Sequence, residues 1–180
     1  EPTNEGYALA KIVGAKLCEF ASSTAGVSYR TVIPSNLYGP GDNFDPKTSH
    51  LLASVIRKVH EAKLAGRNSI EVWGSGEARR EFTYIEDLAE WMVEAATRVE
   101  MLPQYLNLGL GKDYSVTDFY KAAMRVIGVE AELSYDPTKP DGMKQKLLDS
   151  SVARESADWD PPTTIEEGVE KTYLWYLEQL

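Results

Sequence analysis

Apolar residues along the chain recur at two spacings, which predict helices and strands in alternation. A three-to-four-residue spacing predicts helices over about residues 4–23, 49–65 and 86–99, and further helices that begin near Thr117 and Thr164. Ser115 and Asp118 are placed to cap the helix near Thr117. Short β-branched or aromatic runs predict strands at residues 27–33, 69–73 and 105–108, with a buried strand at 27–33, and the EFTYI run at 81–85 continues the pattern. The segments ELSY, KPDG and KLLD precede the last helix. Residues 35–46 and 73–80 are predicted loops. The alternation favours an α/β fold around a partly parallel sheet.

Composition and charge narrow the function classes. The 180 residues are 43% hydrophobic and 26% charged, which is typical of one globular unit. A net charge of −9, without a long basic run, argues against nucleic-acid binding. The longest hydrophobic run is five residues, from Tyr173 to Leu177, so we expect no membrane span. The only cysteine, Cys18, lies in a helical pattern and is expected to be buried; no zinc spacing occurs, so no metal site is predicted and a cytoplasmic location is expected.

The phosphate-binding glycine motif of dinucleotide-binding proteins does not occur in the chain. The nearest G-x-G pairs, such as Gly39 with Gly41, are not followed by the third glycine. The chain also opens on a segment that leads directly into a helix. We therefore expect these residues to be part of a longer protein and to lack turnover on their own.

Tyr7 and Lys11 are four residues apart on the first predicted helix and therefore share one face. A nearby ammonium favours the phenolate form of a tyrosine, which makes the phenol a workable general acid or base. An ordinary amphipathic face is the alternative reading.

Other residues offer chemistry on weaker grounds. His50 begins a helix and is either a proton-transfer group or a surface cap residue. Trp73 ends a strand and is either a core or a pocket-rim aromatic. The basic residues that could gather around a diphosphate are Arg57, Lys58, Arg79, Arg80 and Lys146.

A family resemblance adds to this reading. The segments PTNEGYALAKIVGAKLCE, PSNLYGPGDNF, VWGSGEARREFTYIEDLA and KPDGMKQKLLD resemble the carboxyl-terminal part of the GDP-L-fucose synthases, which are NADP-dependent extended short-chain dehydrogenases/reductases. The Y-x-x-x-K and R-x-F-x-Y-I-x-D-L-A patterns are shared with many nucleotide-sugar epimerases and dehydratases. The narrower signals are D-N-F…S-H and K-P-D-G…K-L-L-D.

The resemblance implies a fold and an activity. Residues 1–180 would hold the end of a Rossmann-type parallel sheet, interleaved with a smaller mixed α/β region that binds the nucleotide sugar. The activity would be 3,5-epimerisation of GDP-4-keto-6-deoxy-D-mannose and NADPH-dependent reduction at carbon 4. A homodimer is also implied.

The resemblance also implies residue roles. Tyr7, Lys11 and His50 would be catalytic, Tyr7 as the proton donor at carbon 4 and His50 as an acid or base for epimerisation. Lys11, His50 and the four residues Pro34, Ser35, Asn36 and Leu37 would contact NADP. The substrate-binding residues would be Lys58, Trp73, Arg80, Asp141 and Lys146.

Two alternatives stay open at this point. The first is another nucleotide-sugar epimerase or dehydratase of the same superfamily. The second is a non-catalytic module that binds nucleotide sugars or dimerises.

Overall fold

Six helices and nine short strands alternate along the chain in a computed structural model that describes residues 4–180. The helices are α1 (Glu5–Ala25), α2 (Leu51–Leu64), α3 (Ile85–Ala96), α4 (Val116–Ile127), α5 (Ser151–Ser156) and α6 (Ile165–Glu178). The strands are β1 (Thr31–Pro34), β2 (Asn36–Tyr38), β3 (Ser69–Trp73), β4 (Arg79–Arg80), β5 (Phe82–Tyr84), β6 (Tyr105–Leu108), β7 (Tyr114–Ser115), β8 (Glu132–Asp136) and β9 (Gln145–Lys146).

Most strand pairs are parallel and join strands that are distant in the sequence. Strand β1 pairs with β6, β2 with β5, and β3 with β8, all three in parallel. The short strand β4 lies between β7, which is antiparallel to it, and β9, which is parallel. The predicted α/β class with a partly parallel sheet is therefore confirmed.

Two apolar clusters stabilise this arrangement. The larger one packs α2, α4 and α6 against β3 and β5, and its centre includes Val59, Val72 and Phe119. The smaller one packs α3 and α5 against β6, with the Trp91 and Trp159 rings edge to face at 5.8 Å. Burial of these side chains supplies most of the driving force for folding.

Capping side chains define where two helices begin. Ser115 and Asp118 form a capping box at α4, as predicted from the sequence. Thr164 and Glu167 form the same motif at α6. Each box provides acceptors for backbone N–H groups that have no partner within the helix.

Several sequence predictions are corrected by the structure. No residue of α1 is buried, and Cys18 in it is only half-buried rather than buried. Tyr105 of β6 contacts the helix through a hydrogen bond from its hydroxyl to the Glu19 carboxylate, and this contact leaves most of the helix exposed. Strand β1 is shorter than predicted and leaves Ile33 exposed, since β6 is its one partner among the described strands. Residues 36–38 are a strand rather than a loop, because β5 pairs with them. Helix α3 ends at Ala96, before the predicted end.

Across residues 4–180, no helix combines the length and the apolar character that crossing a lipid bilayer requires.

Candidate functional site

Two adjoining cavities contain most of the side chains that the sequence singled out. The first, here called the His50 cavity, has a volume of about 430 Å³ and is lined by Ser35, Asn36, Leu37, His50, Leu51, Arg80 and Phe82. The second, the Trp73 cavity, has a volume of about 320 Å³ and is lined by Ser49, Leu51, Ser54, Lys58, Trp73, Ala78, Arg80, Val116, Tyr120, Pro140 and Asp141. Leu51 and Arg80 line both, so the two cavities meet at these side chains.

One wall of the His50 cavity is fixed by hydrogen bonds from Ser35 and Asn36 to residues 81 and 83, in and next to β5. The Ser35 hydroxyl lies 2.8 Å from the Thr83 hydroxyl, which is buried. The Asn36 amide donates to the carbonyl oxygen of Glu81 at 2.9 Å. Both polar side chains are therefore held in one orientation at the carboxyl end of β1, where ligands bind in open α/β sheets.

His50 lines the same cavity from the position immediately before α2. It occupies the N-cap of the helix without a side-chain capping bond, so its imidazole is exposed and free to contact a ligand. The chain that leads to it, residues 39–50, is a loop here called the His50 loop. The Asp45 carboxylate accepts hydrogen bonds from the Lys47 and Thr48 amides at 2.8 and 3.0 Å. These bonds fold the loop into a tight turn.

The His50 loop is also tied to the apolar core. The Phe44 ring stacks on Tyr176 of α6, with centroids 4.3 Å apart. Half-burial raises the pKa of the Asp42 carboxyl, and the nearby His50 partly opposes that shift. The loop therefore has one apolar anchor and carries a second titratable group close to the imidazole.

Trp73 is an exposed aromatic ring that is nevertheless held in place. The ring is 58% exposed, although tryptophan is usually well buried. Its indole N–H donates to the Glu71 carboxylate at 3.0 Å, and the Lys58 ammonium lies 5.0 Å from the ring centroid. Partial burial lowers the pKa of the Lys58 ammonium. This exposed but ordered ring is typical of a binding surface.

Arg80 and Asp141 meet where the two cavities join. The Arg80 guanidinium donates to the carbonyl oxygen of Arg79 at 2.7 Å and lies 3.5 Å from the carbonyl oxygen of Asp141. The Asp141 carboxylate accepts a hydrogen bond from the Ser75 amide at 2.7 Å. A side chain at Gly74 would lie 2.1 Å from that carboxylate, so glycine is required there. Asp141 thus fixes the turn after Trp73.

Glu81 is a buried carboxylate that the sequence analysis missed. It is 1% exposed and accepts hydrogen bonds from the amides of Gly111 at 2.6 Å and Leu148 at 3.0 Å. Glu81 lies between Arg80 and Phe82, which both line the His50 cavity. Its two hydrogen bonds therefore join this part of the cavity lining to the segments that contain Gly111 and Leu148. The sequence does contain a signal for this residue, since Glu81 begins the apolar run EFTYI. A carboxylate that is buried with such a run needs hydrogen-bond partners.

Four of the predicted site residues lie outside the lining of the two cavities. Tyr7 and Lys11 are exposed on α1, and the Lys11 ammonium lies 5.4 Å from the Tyr7 ring centroid. Pro34 ends β1 and immediately precedes Ser35. Lys146 is paired with Arg80 in the β4–β9 register and is exposed.

This arrangement places proton-transfer chemistry beside anion-binding chemistry. His50 offers an imidazole, a group that can either donate or accept a proton. Lys58 and Arg80 offer fixed positive charge in an acidic protein. A ligand that extends through both cavities would have its reacting part near His50 and its charged part near Lys58.

Comparisons with known proteins identify relatives of the chain. The chain is 45% identical to the GDP-L-fucose synthase of Azorhizobium caulinodans over 98% of its own length and 56% of that protein. It is 43% identical to the GDP-L-colitose synthase of Yersinia pseudotuberculosis over 99% of its length and 58% of that protein. The chain therefore spans little more than half the length of these curated relatives.

A solved structure shows the same fold. The GDP-mannoheptose C4 reductase of Campylobacter jejuni, solved with NADP bound, matches with a TM-score of 0.85 and 26% identity, covering 98% of this chain and 61% of that one. The predicted resemblance to GDP-L-fucose synthases and the predicted fold are thus confirmed. A family model for the NAD dependent epimerase/dehydratase family matches residues 1–109, more than half of the sequence, and the chain accordingly belongs to that family.

Proposed function

We propose that the full-length enzyme that carries this chain converts GDP-4-keto-6-deoxy-D-mannose to GDP-L-fucose by 3,5-epimerisation and NADPH-dependent reduction. The observation that carries the proposal is the junction at Arg80, where the cavity that holds His50 meets the cavity that holds Lys58 and Trp73. The relatives named GDP-L-fucose synthase, which match nearly the whole chain, support the choice of substrate.

The epimerisation step needs an acid and a base on opposite faces of the sugar. The carbon-4 ketone acidifies the protons on carbons 3 and 5, so one group removes each proton and another returns it on the other face. His50 serves as one of these two groups, because its imidazole is free of the helix cap and lines the cavity. The sugar ring accordingly binds in the His50 cavity.

The reduction step needs a proton for the oxygen at carbon 4. Tyr7 donates that proton, and the Lys11 ammonium lies 5.4 Å from the centroid of its ring. NADPH supplies the hydride when it is bound.

The residues present fit the nicotinamide end of that cofactor. Pro34, Ser35, Asn36 and Leu37 follow the end of β1, and hydrogen bonds to β5 fix the Ser35 and Asn36 side chains toward the His50 cavity. Lys11, with His50, completes this group as a partner for the ribose hydroxyls. These side chains orient the cofactor and hold it beside the sugar.

The diphosphate of the substrate binds in the Trp73 cavity. Lys58 and Arg80 provide the positive charge, Trp73 provides a flat apolar face, and Asp141 fixes the adjoining turn. Lys146 lies opposite Arg80 in the strand register and adds a cation at the rim.

We also propose that the enzyme is a cytoplasmic homodimer and that residues 1–180 form one unit of each subunit. The exposed apolar side chains along α1 support this proposal, because such a surface is usually covered by another part of the protein or by a partner.

Two variants of the full-length enzyme test the division of roles. Tyr7→Phe should lower the reduction rate by about 10²- to 10⁴-fold, the usual loss of a general acid. It should leave intact the exchange of the carbon-3 and carbon-5 protons with deuterated water, measured by NMR. His50→Ala should instead abolish exchange at one or both carbons.

The outcomes separate the assignments. Wild-type exchange at both carbons in His50→Ala would remove the histidine from the mechanism. Loss of proton exchange at carbons 3 and 5 in Tyr7→Phe would contradict the assignment of Tyr7 to the reduction step alone.

A second candidate activity has a specific observation behind it. The relative named GDP-L-colitose synthase is almost as similar as the fucose synthase, at 43% against 45% identity. Another GDP-linked sugar is therefore the alternative substrate. Turnover of another GDP-linked sugar, without turnover of GDP-4-keto-6-deoxy-D-mannose, would favour this alternative substrate. Binding of the nucleotide sugar without any turnover would favour a non-catalytic module.

A further inference from the structure

Trp73 has a second cation on its ring, which comes from the first residue of the K-P-D-G motif and is not among the residues that line the cavity. The Lys139 ammonium lies 5.4 Å from the ring centroid, close to the 5.0 Å of Lys58. Both distances are within the range of a cation–π contact. One exposed ring therefore gathers two ammonium groups in a protein of net charge −9.

Parallel pairing of β3 with β8 brings Lys139 to this position. Trp73 and Asp136 are register partners at the ends of these strands. The Asp136 carboxylate accepts hydrogen bonds from the Thr138 amide at 3.0 Å and the Thr138 hydroxyl at 2.6 Å. The Lys139 amide donates to the carbonyl oxygen of Asp136 at 3.2 Å. The turn after β8 thus has a defined shape that directs Lys139 toward the ring.

The segment that follows is attached at its other end as well. Residues 139–142, here called the KPDG strap, include Asp141, whose carboxylate accepts the Ser75 amide. Pro140 and Asp141 line the Trp73 cavity. A side chain at Gly142 would lie 3.4 Å from the Arg80 guanidinium. The strap is therefore a fixed wall of the cavity.

The charge pattern around the ring indicates an anionic ligand. The nearby carboxylates already accept hydrogen bonds, Glu71 from the Trp73 indole and Asp141 from a backbone amide. Each ammonium attracts an anion, so two of them at one ring favour an anionic ligand there. The ring itself stays in place because Glu71 holds its N–H.

We infer that Lys139 is a further substrate-binding residue, which contacts the diphosphate of the nucleotide from the side of the KPDG strap while Lys58 contacts it from α2. This inference rests on the proposed function, since it assigns a residue to the same substrate. It predicts that the loss of Lys139 weakens binding of the charged part of the nucleotide and spares the nucleoside.

Calorimetric titration of the full-length enzyme with GDP and with guanosine tests the inference. Lys139→Met keeps the length of the side chain and removes its charge, and it should raise the Kd for GDP about tenfold, the lower range for a hydrogen bond to a charged group. The Kd for guanosine should not change. Lys139→Arg should restore most of the GDP affinity.

A matched control is available on α6. The Lys171 ammonium lies 5.0 Å from the Tyr84 ring centroid, outside the lining of both cavities. Lys171→Met should bind GDP like the wild type.

Each other outcome has a defined meaning. Wild-type GDP affinity in Lys139→Met, or an equal loss of GDP and guanosine binding, would overturn the inference while leaving the proposed function intact. Absence of GDP binding by the wild-type enzyme would overturn the proposed function and this inference together.

Discussion

Glu81 gives the sharpest test of how the two cavities are held together. Its carboxylate is almost fully buried, and each of its oxygens accepts one backbone N–H, from Gly111 and from Leu148. Glu81→Gln keeps the size of the side chain and replaces one acceptor oxygen with a donor NH₂ group. One of the two backbone amides then faces a donor and loses its partner.

The magnitude follows from those two hydrogen bonds. A buried donor left without an acceptor costs about 1–3 kcal/mol. Glu81→Gln should therefore lower the free energy of unfolding by about 2 kcal/mol. Glu81→Ala removes both acceptors and leaves a cavity, so about 3–5 kcal/mol is expected.

Urea denaturation followed by circular dichroism measures the effect. With a denaturant slope of about 2 kcal/mol per molar urea, the Glu81→Gln midpoint should fall by about 1 M. Glu77 lies on the same segment but is exposed, so Glu77→Gln is the control and should keep the wild-type midpoint.

A functional consequence accompanies the loss of stability. Glu81 lies between Arg80 and Phe82, and its carbonyl oxygen holds Asn36, so a shift of this strand moves both cavity walls. In the full-length enzyme the KM for the nucleotide sugar should rise in Glu81→Gln. An unchanged urea midpoint would refute the reasoning, because it would show that the two amides do not depend on the carboxylate.

Two further predictions concern packing and pH. Gly168→Ala should destabilise the protein by about 1–3 kcal/mol despite the better helix propensity of alanine, because its Cβ would lie 1.9 Å from the buried Tyr38 hydroxyl. The double variant with Tyr38→Phe should recover only part of this loss in a urea titration, because the Tyr38 Cζ also lies 2.7 Å from that Cβ. The Arg79 guanidinium donates a hydrogen bond to the Asp113 carboxylate and lowers the pKa of that carboxyl in the folded protein. The ion pair therefore stabilises the fold fully above the pKa of an unfolded aspartate, about 3.9. This stabilisation is lost as the pH falls through the lower pKa of the folded state. Asp113→Asn should flatten this acid loss in denaturation midpoints compared at about pH 6 and pH 3, and an unchanged acid slope would contradict the assignment.

Local signals in the sequence predicted the elements that have local causes. The bounds of β3 and β6 match because short β-branched and aromatic runs end at glycine- or proline-rich turns. The starts of α4 and α6 match because Ser115 and Thr164 are capping residues followed three positions later by an acidic residue. Such features depend on a few neighbouring residues and can be read directly.

Features that depend on distant partners were not predicted. Strand β2 has three residues within a polar, glycine-rich stretch, and it exists because β5 pairs with it. The periodicity of α1 predicted an apolar face but not its exposure, since burial depends on what other parts of the molecule cover. Helix α5 carries too short a pattern to be recognised.

The candidate site divides in the same way. The sequence could list Lys58, Trp73 and Arg80 as separate candidates, and the family motifs added Ser35, Asn36 and Asp141. That these side chains line two cavities joined at Arg80 follows from the strand pairing. The acceptor role of Glu81 was hidden, because its partners are backbone amides and any residue type can supply those.

The position of β4 between β7 and β9 has a consequence for the order in which the protein forms. Arg80 leaves the ribosome well before its strand partners Tyr114 and Lys146, at synthesis rates of about 5–20 residues per second. Until both partners have been made, the central strand of this small sheet has unpaired edges, and closing such long loops slows folding. The Trp73 cavity, whose lining includes Pro140 and Asp141, is therefore completed late in the synthesis of this chain. A polypeptide that stops before β9 would expose the edge of β4 to association with other chains.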